Sequence, residues 1–393
     1  MVSESLKVSQ ARSISDSPRV AWLLQGAGHY WQPILSEFTQ LFPQTTVFTA
    51  CWPGFLPEFE DSFTVKQVGK MKVLAMTGLS KGYSPSFTYL SPSIINHLLD
   101  FTPNVVFSTG FSIWTILALL FKPWHKWRVV IMYDGSSPGV DYRGSWLRLF
   151  QRQVIARFTD AFITNNSAGK TYLTEVIGAG ESRVFNRPYL VPHPKTYSQN
   201  LENSKLASFQ PQHPIFLFAG NVIPRKGLYE LLQACSILQI QGYREYTLLI
   251  VGDGSQRPEL EGFVKTHNLE NQVKWVGYVE YEHVGAYFQK ADVFVFPTLE
   301  DVWGLVAVEA MMFGKPILCS KWAGAVEMVV EGENGYVFDP HKPEKLAELM
   351  SQLMNNPDLI NQMGAKSKQI MALHTPEAVS KYLAEVVEYV LND

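Results

Sequence analysis

The sequence predicts an α/β protein made of two doubly wound parallel-sheet domains facing one another across a cleft. Three observations predict it. Short apolar strands alternate with helical patterns from Val20 onward; the alternation stops in a stretch rich in Pro, Ser, Gln and Asn, Tyr189 to Pro214; and a second alternating series starts at Ile215. The chain has 393 residues, enough for two domains of ordinary size. Charge also divides it, with about +6 over Met1–Lys205 and about −9 over the remainder.

In the first series, strands are expected at Val20–Leu24, Thr46–Phe48, Val105–Ser108, Val129–Tyr133 and Ala161–Thr164, with helices including Gln32–Phe42 and Ile94–Phe101. In the second, strands are expected at Ile215–Phe218, Tyr246–Val251, Val273–Trp275, Val293–Phe296, Ile317–Cys319 and Tyr336–Phe338. Helices are expected at Leu228–Gln239, Gln256–Thr266, His283–Gln289 and, after the Thr375-Pro376 start, Pro376–Leu391. The domain boundaries that follow are a polar, Ser-rich leader at 1–19, a first domain at 20–200, a linker at 201–213, a second domain at 214–373 and a C-terminal helix at 374–393. The leader lacks an apolar core, so it is expected to be disordered and not secretory.

Cys51, Cys235 and Cys319 lie far apart, with no metal-ligand spacing; an odd, unpatterned count fits a reducing compartment and buried thiols. The uncharged run Phe101–Phe121 carries Pro103, Asn104, Gly110 and several hydroxyls, so it reads as strand–turn–helix and not as a membrane span.

Phe296-Pro297-Thr298-Leu299-Glu300-Asp301-Val302-Trp303-Gly304-Leu305-Val306-Ala307-Val308-Glu309 is an apolar strand running through a loop into a helix, with acids at both ends of the turn. Backbone N–H groups at a helix N-terminus attract phosphate, and a carboxylate one turn in can accept from sugar or ribose hydroxyls. Ala219-Gly220-Asn221-Val222-Ile223-Pro224-Arg225-Lys226-Gly227 ends the first strand of the second domain with two adjacent cations, suited to a diphosphate leaving group. Gly252-Asp253-Gly254, Ala323-Gly324-Ala325-Val326-Glu327 and Asn334-Gly335-Tyr336 follow in order.

These elements together resemble the retaining glycosyltransferases of the GT4 family, over about Pro214–Met354 and more weakly over the first domain. The resemblance implies the GT-B fold, two Rossmann-like domains around a central cleft, with a C-terminal helix able to cross back. It implies that Lys226 binds pyrophosphate and that Glu309 binds the nucleotide ribose. The backbone of Gly304, Leu305 and Val306 would touch the distal phosphate, Gly28 would approach the donor phosphates, and Asp301 would contact the donor sugar. Asp301 is preferred over Glu300 because it stands eight residues before Glu309. Three positions depart from the family pattern: Asn221 replaces an arginine whose charge Arg225 can supply, Asp301 replaces a glutamate, and Asp134 stands where related enzymes carry a histidine. No Asp-x-Asp clamp is present, so the expectation is no metal and no cofactor beyond the nucleotide-sugar co-substrate.

Leu23-Leu24-Gln25-Gly26-Ala27-Gly28-His29 does not complete a dinucleotide fingerprint, because Trp31 takes the third glycine's place. Asp134, at the end of the strand Arg128–Tyr133, can orient a sugar hydroxyl or the acceptor, or cap the next turn. The segment Lys66–Arg157 is basic and aromatic, with Lys70, Lys72, Lys81, Phe87, Tyr89, Trp124, His125, Lys126, Trp127, Arg128, Arg148 and Arg152. It suits either an anionic bilayer surface or a solvated helix face over an aromatic core. No nucleic-acid module accompanies it.

The expected function is transfer of a hexose from a UDP-linked donor to a hydroxyl of a lipid or lipid-linked glycan, in the cytoplasm or on the cytoplasmic membrane face. The alternatives are another GT-B enzyme, an epimerase or phosphorylase, or a non-catalytic scaffold.

Overall fold

A computed structural model describes residues 17–75, 86–197 and 211–392. Lys81 and most of the expected leader and linker (1–16 and 201–210) lie outside the described residues.

The first lobe contains β1 (Val20–Leu24), α1 (Gln32–Leu41), β2 (Thr45–Thr49), β3 (Thr64–Gln67), the antiparallel pair β4 (Lys72–Ala75) and β5 (Ser86–Tyr89), and α2 (Ile94–Phe101). It continues with β6 (Val105–Thr109), α3 (Ile113–His125), β7 (Arg128–Tyr133), α4 (Pro138–Asp141), α5 (Trp146–Phe158), β8 (Ala161–Thr164), α6 (Ser167–Thr171) and β9 (Val184–Asn186). Seven parallel strands run in the order β3-β2-β1-β6-β7-β8-β9. The expected leader boundary shifts slightly, because the Arg19 amide already donates to Asn104 Oδ1 at 2.8 Å and ties residue 19 to the sheet.

The second lobe contains β10 (Ile215–Ala219), α7 (Leu228–Ile240), β11 (Thr247–Val251), α8 (Arg257–Thr266), β12 (Val273–Gly277), α9 (Gly285–Lys290), β13 (Val293–Phe296) and α10 (Leu305–Met312). β14 (Ile317–Ser320), β15 (Gly335–Phe338), α11 (Pro343–Met354), α12 (Pro357–Met371) and α13 (Pro376–Asn392) complete it. Its six parallel strands run β12-β11-β10-β13-β14-β15. The central strands β1, β10 and β11 are buried throughout, as a parallel sheet covered on both faces requires. In each sheet the strand order reverses beside the first strand, at β1/β6 and at β10/β13, and the crevice at such a reversal is where these sheets take ligands.

One core runs through both lobes. Trp22 stacks on Phe107 at 4.6 Å in the first, and Leu217 and Phe294 belong to the same buried cluster in the second. α13 joins them: Leu383, Val386, Val387 and Val390 are buried in this cluster with Ile34, Leu35 and Phe38 of α1, and Ser380 Oγ donates to Ile34 O at 3.3 Å. The chain's last helix therefore packs on its first lobe. Cys51 is exposed, unlike the buried Cys235 and Cys319, so the buried-thiol expectation fails there. Among the described residues no helix is long and apolar enough to cross a membrane.

Candidate functional site

The β10 exit loop is shaped by glycine. Gly227 has φ +68°, and a Cβ there would lie 1.9 Å from the Pro297 carbonyl oxygen, so only glycine lets this turn press against the end of β13. The consequence is direct. The Arg225 carbonyl accepts from the Leu299 amide at 2.8 Å and from Thr298 Oγ1 at 3.1 Å, fixing the two loops together. Lys226 Nζ then reaches Asp301 Oδ2 at 2.6 Å, and Arg225 Nη1 donates to the Glu300 carbonyl at 2.6 Å while lying 3.4 Å from Asp301 Oδ2. Asn221, by contrast, is exposed on the loop.

Gly304 takes φ +96° as the residue before α10, and a Cβ there would meet the Phe296 ring at 2.4 Å. Gly304 is thus the residue from which α10 starts, and the amides of Leu305 and Val306, in its first turn, have no partner within the helix. Glu309, one turn further, is buried, and its Oε1 accepts from Tyr281 Oη at 2.6 Å. Burial pushes its carboxyl above the ordinary range, opposed by the Tyr281 and Tyr197 hydroxyls. The acid expected to be open for ribose is thus held by two phenols here.

In the first lobe Gly28 precedes a single helical turn, and a Cβ on it would lie 2.7 Å from the Tyr30 ring. Asp134 is half-buried, close enough to that loop to act on the Tyr30 hydroxyl. Burial raises its carboxyl, opposed by the Tyr189 hydroxyl that donates to Oδ1. Asn165 locks the same corner: its Nδ2 donates to Asp134 O at 2.9 Å and its Oδ1 accepts from the Tyr189 and Leu190 amides. Asp134 does not cap the following turn; its side chain faces Tyr189.

The lobes meet around Val302. Asn166 Nδ2 donates to its carbonyl at 2.7 Å, and Cβ atoms on Gly135 and Gly324 would lie 2.1 Å and 2.2 Å from that oxygen. Trp303 Nε1 donates to Leu190 O at 3.0 Å, Glu300 Oε1 accepts from the Gly139 amide at 2.6 Å, and Glu327 accepts from the Ser167 amide at 2.8 Å. Glu300 therefore reaches the opposite lobe, and Asp301 alone of the two adjacent acids faces the cations.

The geometry brings Arg225, Lys226, Asp301, Gly304, Leu305, Val306 and Glu309 to one end of the second sheet, with Gly28 and Asp134 at the matching end of the first. Sequence reasoning missed Tyr281, Tyr197, Tyr189, Asn165 and Asn166. Only the asparagine pair carried a signal: Thr164-Asn165-Asn166-Ser167 is a strand end followed by a helix cap, and Asn166 Oδ1 does accept from the Gly169 amide.

The basic segment is less open than its composition implies. Trp127 is buried and donates to Ala118 O; Arg128 and Lys122 pair with Asp160; Arg152 donates to Val140 O, Asp141 O and Tyr172 Oη. Trp124, His125, Lys126 and Tyr89 stay exposed. Among the described residues no group of three or more His, Cys, Asp or Glu side chains is arranged to hold a metal ion.

Residues 201–370 match the family model described as Glycosyl transferases group 1. An uncharacterized glycosyltransferase of Methanocaldococcus jannaschii is 29% identical over 153 residues, 39% of this chain and 42% of that protein. A D-inositol 3-phosphate glycosyltransferase of Corynebacterium urealyticum is 28% identical over 43% of this chain and 41% of its own length. The chain spans about half the length of the curated relatives it matches. Anabaena HepE in complex with UDP superposes with a TM-score of 0.72 at 17% identity, covering 94% of this chain and 99% of that one. Sucrose-phosphate synthase from Thermosynechococcus elongatus gives 0.71 at 19% identity, covering 95% and 99%. The chain thus has the two-lobed GT-B fold throughout, and its second lobe carries a segment, residues 201–370, that matches the Glycosyl transferases group 1 model.

Proposed function

We propose that this protein is a retaining glycosyltransferase moving a hexose from a UDP-linked donor to a hydroxyl of a lipid or lipid-linked glycan. The observation that carries it is the Lys226–Asp301 pair, seated with Arg225 below the N-terminus of α10. A diphosphate entering there meets two cations and the amides of Leu305 and Val306, the charge it needs when the glycosidic bond breaks. The acceptor oxygen bonds to the anomeric carbon on the face the phosphate leaves, and the departing diphosphate takes the acceptor's proton. Glu309 accepts from the ribose hydroxyls once Tyr281 yields, Asp301 holds the sugar, Gly28 admits the phosphates closely, and Asp134 orients a hydroxyl at the reacting face.

Lys226 and Arg225 supply the positive charge that a divalent ion supplies elsewhere, so turnover is expected to persist in EDTA. HepE, whose complexes hold UDP, UDP with glucose, and UDP-glucose, supports the choice of base. For a membrane-borne acceptor the support is exposed apolar surface: Trp124 on α3 is 75% and Trp146 on α5 78% exposed, and Leu147 and Phe150 are exposed on α5 as well. Such a face suits a cytoplasmic protein working at the cytoplasmic membrane face.

One observation favours a second reading, a scaffold that binds without turnover: both signature acids are occupied, Asp301 by cations and Glu309 by phenols. Incubating the protein with labelled UDP-hexoses and membrane lipid extract separates the two. A labelled lipid product supports transfer; UDP binding without product supports the scaffold.

A further inference from the structure

We propose that a cavity on the first lobe takes an amphiphilic acceptor with an anionic headgroup, Arg148 reading the charge and the α3–α5 face carrying the apolar chain. This rests on the transferase function proposed above. The cavity, about 730 Å³, opens at the carboxyl ends of β1 and β6, the same sheet end as Gly28, between Gln25, Phe111, Ser112, Tyr142, Arg148 and Arg152.

Charge decides the headgroup. Two arginines, Arg148 and Arg152, line the cavity, and the nearby carboxylate, Asp141, is already taken. It is buried, with Arg143 Nε at 2.9 Å, and accepts from Tyr133 Oη at 2.8 Å and Ser136 Oγ at 2.7 Å. Arg152 spends its N–H groups on the neutral oxygens of Val140, Asp141 and Tyr172, and among the described residues it forms no ion pair within 4.0 Å. Arg148 Cζ lies over the Tyr142 ring, 4.1 Å from its centroid, and among the described residues no carboxylate lies within 4.0 Å of it. A guanidinium stacked this way is preorganised and keeps its in-plane N–H groups for a planar or tetrahedral anion. The cavity thus carries fixed positive charge with no acid of its own to neutralise it.

The apolar part follows from the helices at its mouth. Ile113 lines the cavity and begins an exposed stripe with Leu120 and Trp124 on α3. Trp146, Leu147 and Phe150 expose a second on α5. The helices lie side by side, since Arg152 sits over Phe111 at 4.9 Å and Lys122 Nζ reaches Phe158 O at 2.8 Å. A charged pocket bordered by exposed apolar side chains of both helices matches a molecule with those two parts. Neither a soluble sugar nor a free anion uses both.

The test is calorimetric titration of the full chain, wild type and Arg148→Gln, with dihexanoyl phosphatidic acid below its micelle concentration, dihexanoylglycerol and glycerol phosphate. UDP is titrated into the same samples. The phosphatidic acid should bind wild type at least about tenfold more tightly than either other probe, and Arg148→Gln should remove about tenfold with UDP affinity unchanged. Equal affinity for the neutral and the charged lipid overturns the proposal, as does glycerol phosphate binding as tightly as the lipid, or a variant that binds the lipid like wild type. Failure of wild type to bind UDP sinks the transferase function instead, and the lipid titrations still decide this site.

Discussion

Lys226 Nζ and Asp301 Oδ2 stand 2.6 Å apart, with their side chains only 15% and 10% exposed. On the proposed function a donor diphosphate arriving at Lys226 must share or break that pair, and the pairing keeps a desolvated cation compensated until substrate replaces the carboxylate. Breaking one side of a buried pair leaves the other charge stranded. Lys226→Ala is therefore expected to lower kcat/KM by about a hundredfold to a thousandfold, the scale of losing an oxyanion-type donor. Steady-state kinetics with a UDP-hexose checks it; unchanged turnover rejects the leaving-group role.

Glu309 gives a pH-dependent prediction. Burial raises its carboxyl, with Tyr281 and Tyr197 opposing. A raised folded pKa means that the stability tied to the protonated form is intact at low pH and is lost as pH rises through the folded value. Glu309→Gln cannot ionise, so it should match wild type in Tm near about pH 4 and exceed it near about pH 8. The same variant should weaken UDP binding by about tenfold, having lost a charged acceptor. A Tm difference that does not grow with pH contradicts the assignment.

Most of the fold was legible because both sheets are parallel and buried, so each strand reads as an apolar run and each helix as a periodic one. Ala323-Gly324-Ala325-Val326-Glu327 was legible only as a motif; that Glu327 grips Ser167 of the other lobe depends on a packing no local pattern encodes. Tyr281 and Tyr197 were invisible for the same reason, since 28 residues separate Tyr281 from Glu309 and nothing in either segment points to the other. Arg152 misled in the opposite direction: composition made it a surface cation, and the fold turns it inward over Phe111.

The lobe contacts predict a measurable change in shape. Glu300 and Glu327 each bridge the cleft with a single carboxylate, to Gly139 and to Ser167. Removing both with Glu300→Ala and Glu327→Ala should leave each lobe folded but raise the radius of gyration in small-angle scattering. The KM for donor should rise with it, as cleft closure becomes less favourable. An unchanged scattering profile means that the Val302 and Trp303 contacts suffice to hold the cleft.

α13 makes the strongest stability prediction. Leu383 is fully buried in the core shared with α1, whereas Glu385, two residues on, forms an ion pair with Arg187 at 3.2 Å in which both side chains are about 60% exposed. Leu383→Ala leaves a cavity and should cost about 2–5 kcal/mol. Glu385→Ala removes only a solvated pair and should cost about 0–1 kcal/mol. Urea midpoints at constant m-value measure both. Because the helix belongs to the end of the chain but seals the first lobe, the leucine variant should also lower the midpoint reported by Trp22, which packs in that same core. If the two substitutions cost the same, the docking of α13 on α1 does not contribute to stability and this account of how the lobes are joined is wrong.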